Sequence, residues 1–169
     1  MRNPDRFARA VFMILTALLA VACSKFPEDF DGVVRPLDAE GLRAWQAADQ
    51  AMIILDVRTA SEYRETARAP DAVNLPWSWD GEQADVNERF LAAVTERYAP
   101  DQTLVLLCSE GMRASQAAWT LQQESGFSEV YVYEGGYQGH EMAGYPSGPG
   151  WVADGLPVNS ATADDPDTD

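Results

Sequence analysis

The stretch Thr103-Leu104-Val105-Leu106-Leu107-Cys108-Ser109-Glu110-Gly111-Met112-Arg113 decides how this chain is read. Its first five residues form a nearly continuous apolar run, the pattern of a strand buried on both faces. From Ala114 to Ser125 the residues Ala114, Ala117, Ala118 and Leu121 fall on one helical stripe, and Gly126 stands where a helix C-cap is expected. Strand, short loop and helix in that order aim backbone N–H groups and the positive end of a helix dipole at one sulfur, that of Cys108. Gly111 allows the loop to curl, since only glycine takes positive φ without steric cost. Arg113 adds a permanent charge that either holds the loop from one side or meets an anionic substrate. Surroundings of this kind favour a thiolate over a thiol, whose ordinary pKa is ~8.5. Cys108 is therefore expected to be a nucleophile. The competing reading, a small buried hydrophobe at a strand end, fits the loop composition less well.

Working outward, the chain alternates strands and helices. Asp38 caps a helix predicted to run to about Ala48, with Leu42 and Trp45 at helical spacing. Met52 to Val57 and Ala72 to Leu75 are expected strands, as is Val130 to Tyr133, and Asp85 to Tyr98 is an expected helix with Phe90, Leu91, Val94 and Tyr98 on one face. This order predicts an α/β layered fold with a mainly parallel sheet flanked by helices, its nucleophile at the C-terminal end of a strand where such folds place ligands.

Several spaced motifs resemble those of the single-domain rhodanese-like sulfurtransferases. Leu55-Asp56-Val57-Arg58 is similar to the family's strand-end motif, and Ser61-Glu62-Tyr63 to the acidic-aromatic pair that follows it. Pro70, Ala72, Val73, Asn74, Leu75 and Pro76 sit where the family has a proline-containing approach to a strand. Cys108 to Arg113 fit its six-residue active loop, and Glu134-Gly135-Gly136 and Trp151 to Val158 resemble its closing segments. The resemblance spans about Leu37 to Val158, and motifs in the right order are more specific than any one alone. It implies a ping-pong sulfur transfer: Cys108 takes the outer sulfur of a donor such as thiosulfate, holds it as a persulfide, and passes it to a thiophilic acceptor such as cyanide or a thiol. It also implies that Ser109, Glu110, Gly111, Met112 and Arg113 line the substrate site, that Asp56 and Arg58 brace the fold by ion pairing, and that no cofactor or metal takes part.

The chain departs from the family at two places. Where Gly-His-Ile-Pro-Gly-Ala is usual, it reads Ala67-Arg68-Ala69-Pro70-Asp71-Ala72. In the loop, Ser109 stands where arginine is common, and Glu110 is expected to cancel Arg113. Loop length separates sulfur transfer from the phosphatase and arsenate reductase chemistry of similar folds: those resemble Cys-x5-Arg, whereas this chain is Cys-x4-Arg with Ala114 at the next position. A tight loop suits a terminal persulfide anion solvated by N–H groups. The alternative from another class is a non-catalytic rhodanese-like module that binds a partner or senses redox state.

The chain has 169 residues and a net charge of −15, from 12 Lys and Arg against 27 Asp and Glu. That length gives one domain with a real core. The charge repels phosphate, which excludes nucleic acid as an expected partner. Residues 1–22 are expected to be an export signal: Arg2, Arg6 and Arg9 precede an uncharged, mostly apolar run from Ala10 to Ala22, too short to span a bilayer. Leu19-Ala20-Val21-Ala22-Cys23 resembles a bacterial lipobox, which would make Cys23 an acylated first residue; ordinary cleavage after Ala20-Val21-Ala22 is the alternative. Either route exports the protein, and the first anchors it in the periplasm to a membrane. Residues 23–36 are then a flexible tether, 37–158 the rhodanese-like domain and 159–169 an acidic disordered tail. His140, the lone histidine, is expected in a surface loop. Trp77 and Trp79 wall a pocket or fill the core, and Gly135 to Gly150 is a lid or a connector.

Overall fold

The computed structural model describes residues 34–78, 84–141 and 143–160. Five parallel strands form the sheet: β1 Arg35–Leu37, β2 Ile53–Asp56, β3 Val73–Asn74, β4 Leu104–Leu107 and β5 Val130–Tyr133. Their order across the sheet is β1-β5-β4-β2-β3. Among the described residues four helices connect them: α1 Ala39–Ala47, α2 Ala60–Glu65, α3 Ala84–Arg97 and α4 Met112–Ser125. This is the α/β fold with a parallel sheet flanked by helices that the alternating pattern predicts.

β4 lies at the centre, and its period-two geometry divides the core. Leu104 and Leu106 face one side, where they pack with Phe90 and Val94 of α3 and with Ala114, Ala117, Ala118 and Leu121 of α4. Val105 and Leu107 face the other, against Leu42 of α1 and Tyr133, Tyr137 and Trp151. All four β4 side chains are buried, as are the small residues of α4, so that helix sits close against the strand that feeds it. α4 starts at Met112, two residues earlier than its apolar stripe suggests, and ends at Ser125 with Gly126 in the left-handed conformation. Asp38 caps α1 as expected, its carboxylate accepting the Gly41 N–H at 2.7 Å.

Two sequence expectations need correction, and one helix goes unpredicted. The fold begins earlier than a tether ending at Pro36 allows, because Arg35, Pro36 and Leu37 pair with Tyr131, Val132 and Tyr133. Asn159, read as the first residue of a tail, exchanges backbone hydrogen bonds with Arg68 at 2.8 and 3.1 Å. α2 was not expected as a helix; Thr59 and Glu62 form a capping box at its start. Cys23, Trp79 and the export signal lie outside the described residues.

The departure at residues 67–72 is accommodated without glycine. Asp71 takes a positive φ of 58°, a conformation that aspartate tolerates better than most residues. Arg68 lays its guanidinium 4.9 Å from the Tyr63 ring centroid, and the Tyr63 hydroxyl donates to the Ala72 carbonyl at 2.6 Å. The segment is thus fixed at both ends, between α2 and β3.

Candidate active site

Cys108 follows β4 directly and is 1% exposed. Its Sγ accepts the Gly111 N–H at 3.1 Å. Gly111 is the N-cap of α4, with φ 92° and no side-chain cap bond, so the first turn of the helix keeps its N–H groups free of a competing side-chain oxygen.

The glycine-rich segment after β5 folds back under the loop. Tyr137 N–H donates to the Cys108 carbonyl and Gln138 N–H to the Ser109 carbonyl, both at 2.9 Å. In a trans peptide the N–H and C=O point in opposite directions within one plane, so these bonds direct the Ser109 and Glu110 N–H groups away from residues 137 and 138. Gly136 makes the approach possible: a Cβ there, at φ 62°, would stand 2.5 Å from the Cys108 carbonyl oxygen and 2.7 Å from the Glu110 nitrogen. Residues 136–138 are therefore more than a connector, because their backbone forms the floor of the loop.

Arg113 is ion-paired within the fold. Its Nη1 and Nη2 donate to the two carboxylate oxygens of Glu62 at 2.7 Å each, and Nη2 also donates to Ser109 Oγ at 3.1 Å. Ser109 Oγ donates in turn to Glu62 at 2.9 Å, and Thr59 gives Glu62 its N–H and its hydroxyl, again at 2.9 Å. The Arg113 guanidinium holds the Glu62 carboxyl well below the usual carboxylate range, with Thr59 and Ser109 adding to it against partial burial. Burial disfavours the charged form of Arg113, but Glu62, with the Cys108 sulfur and Asp56, raises it overall.

The geometry decides the roles of Glu110 and Arg113. Glu62, not Glu110, neutralises Arg113; Glu110 is exposed and has no ion pair or hydrogen bond among the described residues. Of the two roles open to Arg113 in the sequence, the structure shows it holding the loop. Asp56 and Arg58 brace the fold beneath: Arg58 Nε and Nη2 grip Asp56 at 2.6 to 3.0 Å, Nη1 donates to Thr66, and the guanidinium lies 4.1 Å from the Tyr137 ring centroid. Burial pushes the Asp56 carboxyl up, and Arg58 pulls against that rise.

A family model described as a rhodanese-like domain matches residues 38–143. The chain belongs to the rhodanese-like domain family. It is similar to the rhodanese-like domain-containing protein 17 of Arabidopsis thaliana, 30% identical over 97 residues that cover 56% of this chain and 62% of that protein. The chain thus matches about three-fifths of the length of this curated relative. Among solved structures it resembles the rhodanese-like domain of a protein from Anabaena sp., at a TM-score of 0.55 and 20% identity, covering 79% of this chain and 86% of that one. It also resembles a thiosulfate sulfurtransferase from Pseudomonas aeruginosa, at a TM-score of 0.51 and 20% identity, over 76% of this chain and 21% of that one. Likeness at these identities establishes the fold.

Within this rhodanese-like domain, the remaining sequence candidates sort by position. Trp77 is buried and packs edge-on to Phe90 at 5.3 Å, a core residue. His140 is half-buried in the glycine-rich segment, its backbone paired with Gly148 and its ring edge-on to Tyr145 at 6.4 Å. Glu62, Gly136 and Tyr137 are the site residues whose roles sequence reasoning missed. Thr59-x-x-Glu62 was a readable capping signal, but nothing local announces that the same carboxylate reaches Arg113.

Proposed function

We propose that this domain is a sulfurtransferase. The observation that carries the reading is Cys108 Sγ accepting the Gly111 N–H at 3.1 Å at the start of α4. A helix N-terminus and an inward amide favour anionic sulfur, first as thiolate and then as the terminal sulfur of a persulfide. Cys108 attacks the outer sulfur of a sulfane-sulfur donor such as thiosulfate, the leaving group departs with the bonding electrons, and a thiophilic acceptor such as cyanide or a thiol later removes the sulfur. Gly111 shapes the loop, Ser109 and Arg113 fix it through Glu62, and Met112 and Glu110 flank the approach. Intact-mass measurement tests this directly. The protein gains one sulfur atom from thiosulfate, polysulfide or a persulfide and loses it to cyanide, while Cys108→Ser does neither. A wild-type protein that takes sulfur from none of these donors refutes the reading.

We also propose that residues 1–22 direct export and that Cys23 is acylated, which would leave Cys108 as the single thiol. The apolar run to Ala22 and the lipobox-like Leu19 to Cys23 support this. Labelling with a fatty-acid analogue should mark the full-length chain and not Cys23→Ala.

A further inference from the structure

The loop contains one cation, and the fold has already used it. Arg113 gives both terminal nitrogens to Glu62, leaving its side chain 16% exposed and the Glu62 side chain 34% exposed. Ser109, Met112 and the exposed Glu110, unpaired among the described residues, complete the loop surface. Its visible charge is thus two carboxylates against one guanidinium, in a chain of net charge −15. The next arginine toward the sheet, Arg58, is buried and bound to Asp56. The one amide seen donating to the sulfur, that of Gly111, suits one anionic atom, not a second anionic group arriving beside it.

Resting on the sulfurtransferase reading, we propose that the sulfur donor is the persulfide of a small thiol whose carrier brings no anionic group to the loop, in preference to a dianion such as thiosulfate. In this step the Cys108 thiolate attacks the outer sulfur of R–S–SH. The new S–S bond forms as the donor's S–S bond breaks, and R–S⁻ leaves with the electron pair. The transferred sulfur keeps its proton until solvent takes it, giving the Cys108 persulfide anion. The sulfane sulfur moves without net oxidation, so no further reactant is needed.

The test is the second-order rate of sulfur loading on Cys108, read by intact mass. Persulfides of cysteamine, 2-mercaptoethanol and mercaptosuccinate carry the same reacting group on carriers of positive, zero and negative charge. Each rate is divided by that of the same donor with free 2-mercaptoethanol, which removes differences in leaving-group thiol. The normalised rate should fall about tenfold from cysteamine to mercaptosuccinate at low ionic strength, and the spread should contract in about 0.5 M salt as screening shortens. Glu110→Gln should narrow the spread and Glu110→Lys should narrow it further. Thiosulfate should load more slowly than 2-mercaptoethanol persulfide. A flat or reversed order, or thiosulfate loading at least as fast, overturns the donor assignment while leaving the sulfurtransferase intact. Failure of every donor to load Cys108 removes the sulfurtransferase reading and this one with it.

Discussion

At Gly136 a missing Cβ lets one backbone lie against another: Tyr137 and Gln138 reach the carbonyls of Cys108 and Ser109 only because nothing projects between them. Gly136→Ala forces a non-glycine residue to φ 62° and drives its Cβ into the Cys108 carbonyl. The combined strain and overlap should destabilise the fold by about 2–4 kcal/mol and slow sulfur loading on the folded fraction. Gly126→Ala is the control, because Gly126 has a similar φ of 70° with nothing within 4 Å and caps the far end of α4. It should lose about 1–2 kcal/mol and load sulfur at the wild-type rate. Urea unfolding with mass-resolved loading on each variant separates the two; equal loading by both would mean that Gly136 acts on stability alone. Cys108 and Gly111 were legible in the sequence because strand, loop and helix are consecutive there. Gly136 was not, since a glycine's reason lies in whatever approaches it, here a loop more than twenty residues earlier in the chain.

Among the elements, α2 shows how a short helix gains a second use. Its capping carboxylate, Glu62, accepts from Thr59 at its own N-terminus and from Ser109 and Arg113 across the site, so the cap also ties α2 to the active loop. Glu62→Gln keeps the shape and removes the charge, and should cost about 1–2 kcal/mol at neutral pH once solvent screening is allowed for. The sign of its pH dependence follows from a folded carboxyl held far below its ordinary value of 4.5. Such a group contributes fully above the unfolded value and loses its contribution as pH falls toward the folded one. The stability gap between wild type and Glu62→Gln should therefore be level from pH 7 to about 5 and shrink below about 4.5. Urea titrations of both proteins across that range check it, and a gap that widens on acidification would show the Glu62 charge to be unfavourable in the fold. Helix and strand periodicity made α1, α3, α4, β2, β4 and β5 legible. β1 escaped because Arg35-Pro36-Leu37 is three residues long and its proline sits on an edge strand, where a missing N–H is tolerated. Only pairing with β5, nearly a hundred residues on, makes it a strand.

Over the whole molecule, the parallel sheet fixes which end of the domain the N-terminal segment enters. β1 pairs in parallel with β5, which pairs in parallel with β4, so Arg35 enters the sheet at the end where the strands begin, while Cys108 lies where β4 finishes. If Cys23 is acylated, residues 24–34 join the lipid to that opposite end, with a contour of at most about 40 Å at 3.3–3.6 Å per residue. Removing residues 1–22 takes away Arg2, Arg6, Arg9 and Asp5 and leaves a chain still more acidic than −15, which an anionic bilayer surface repels. The point of attachment is then nearest the membrane on average, and the Cys108 end faces outward, open to a small donor in solution. This can be measured on the acylated full-length protein in vesicles, in a Cys108→Ser background, with a fluorophore on either Asp101→Cys or Glu110→Cys. Both positions are exposed; the first lies just before β4 and the second in the active loop. Lipid-borne quenchers should dim the label at 101 more than the label at 110, and the difference should vanish when the acyl anchor is removed. Stronger quenching at 110 would place the active loop against the bilayer and point to a donor or acceptor dissolved in the membrane.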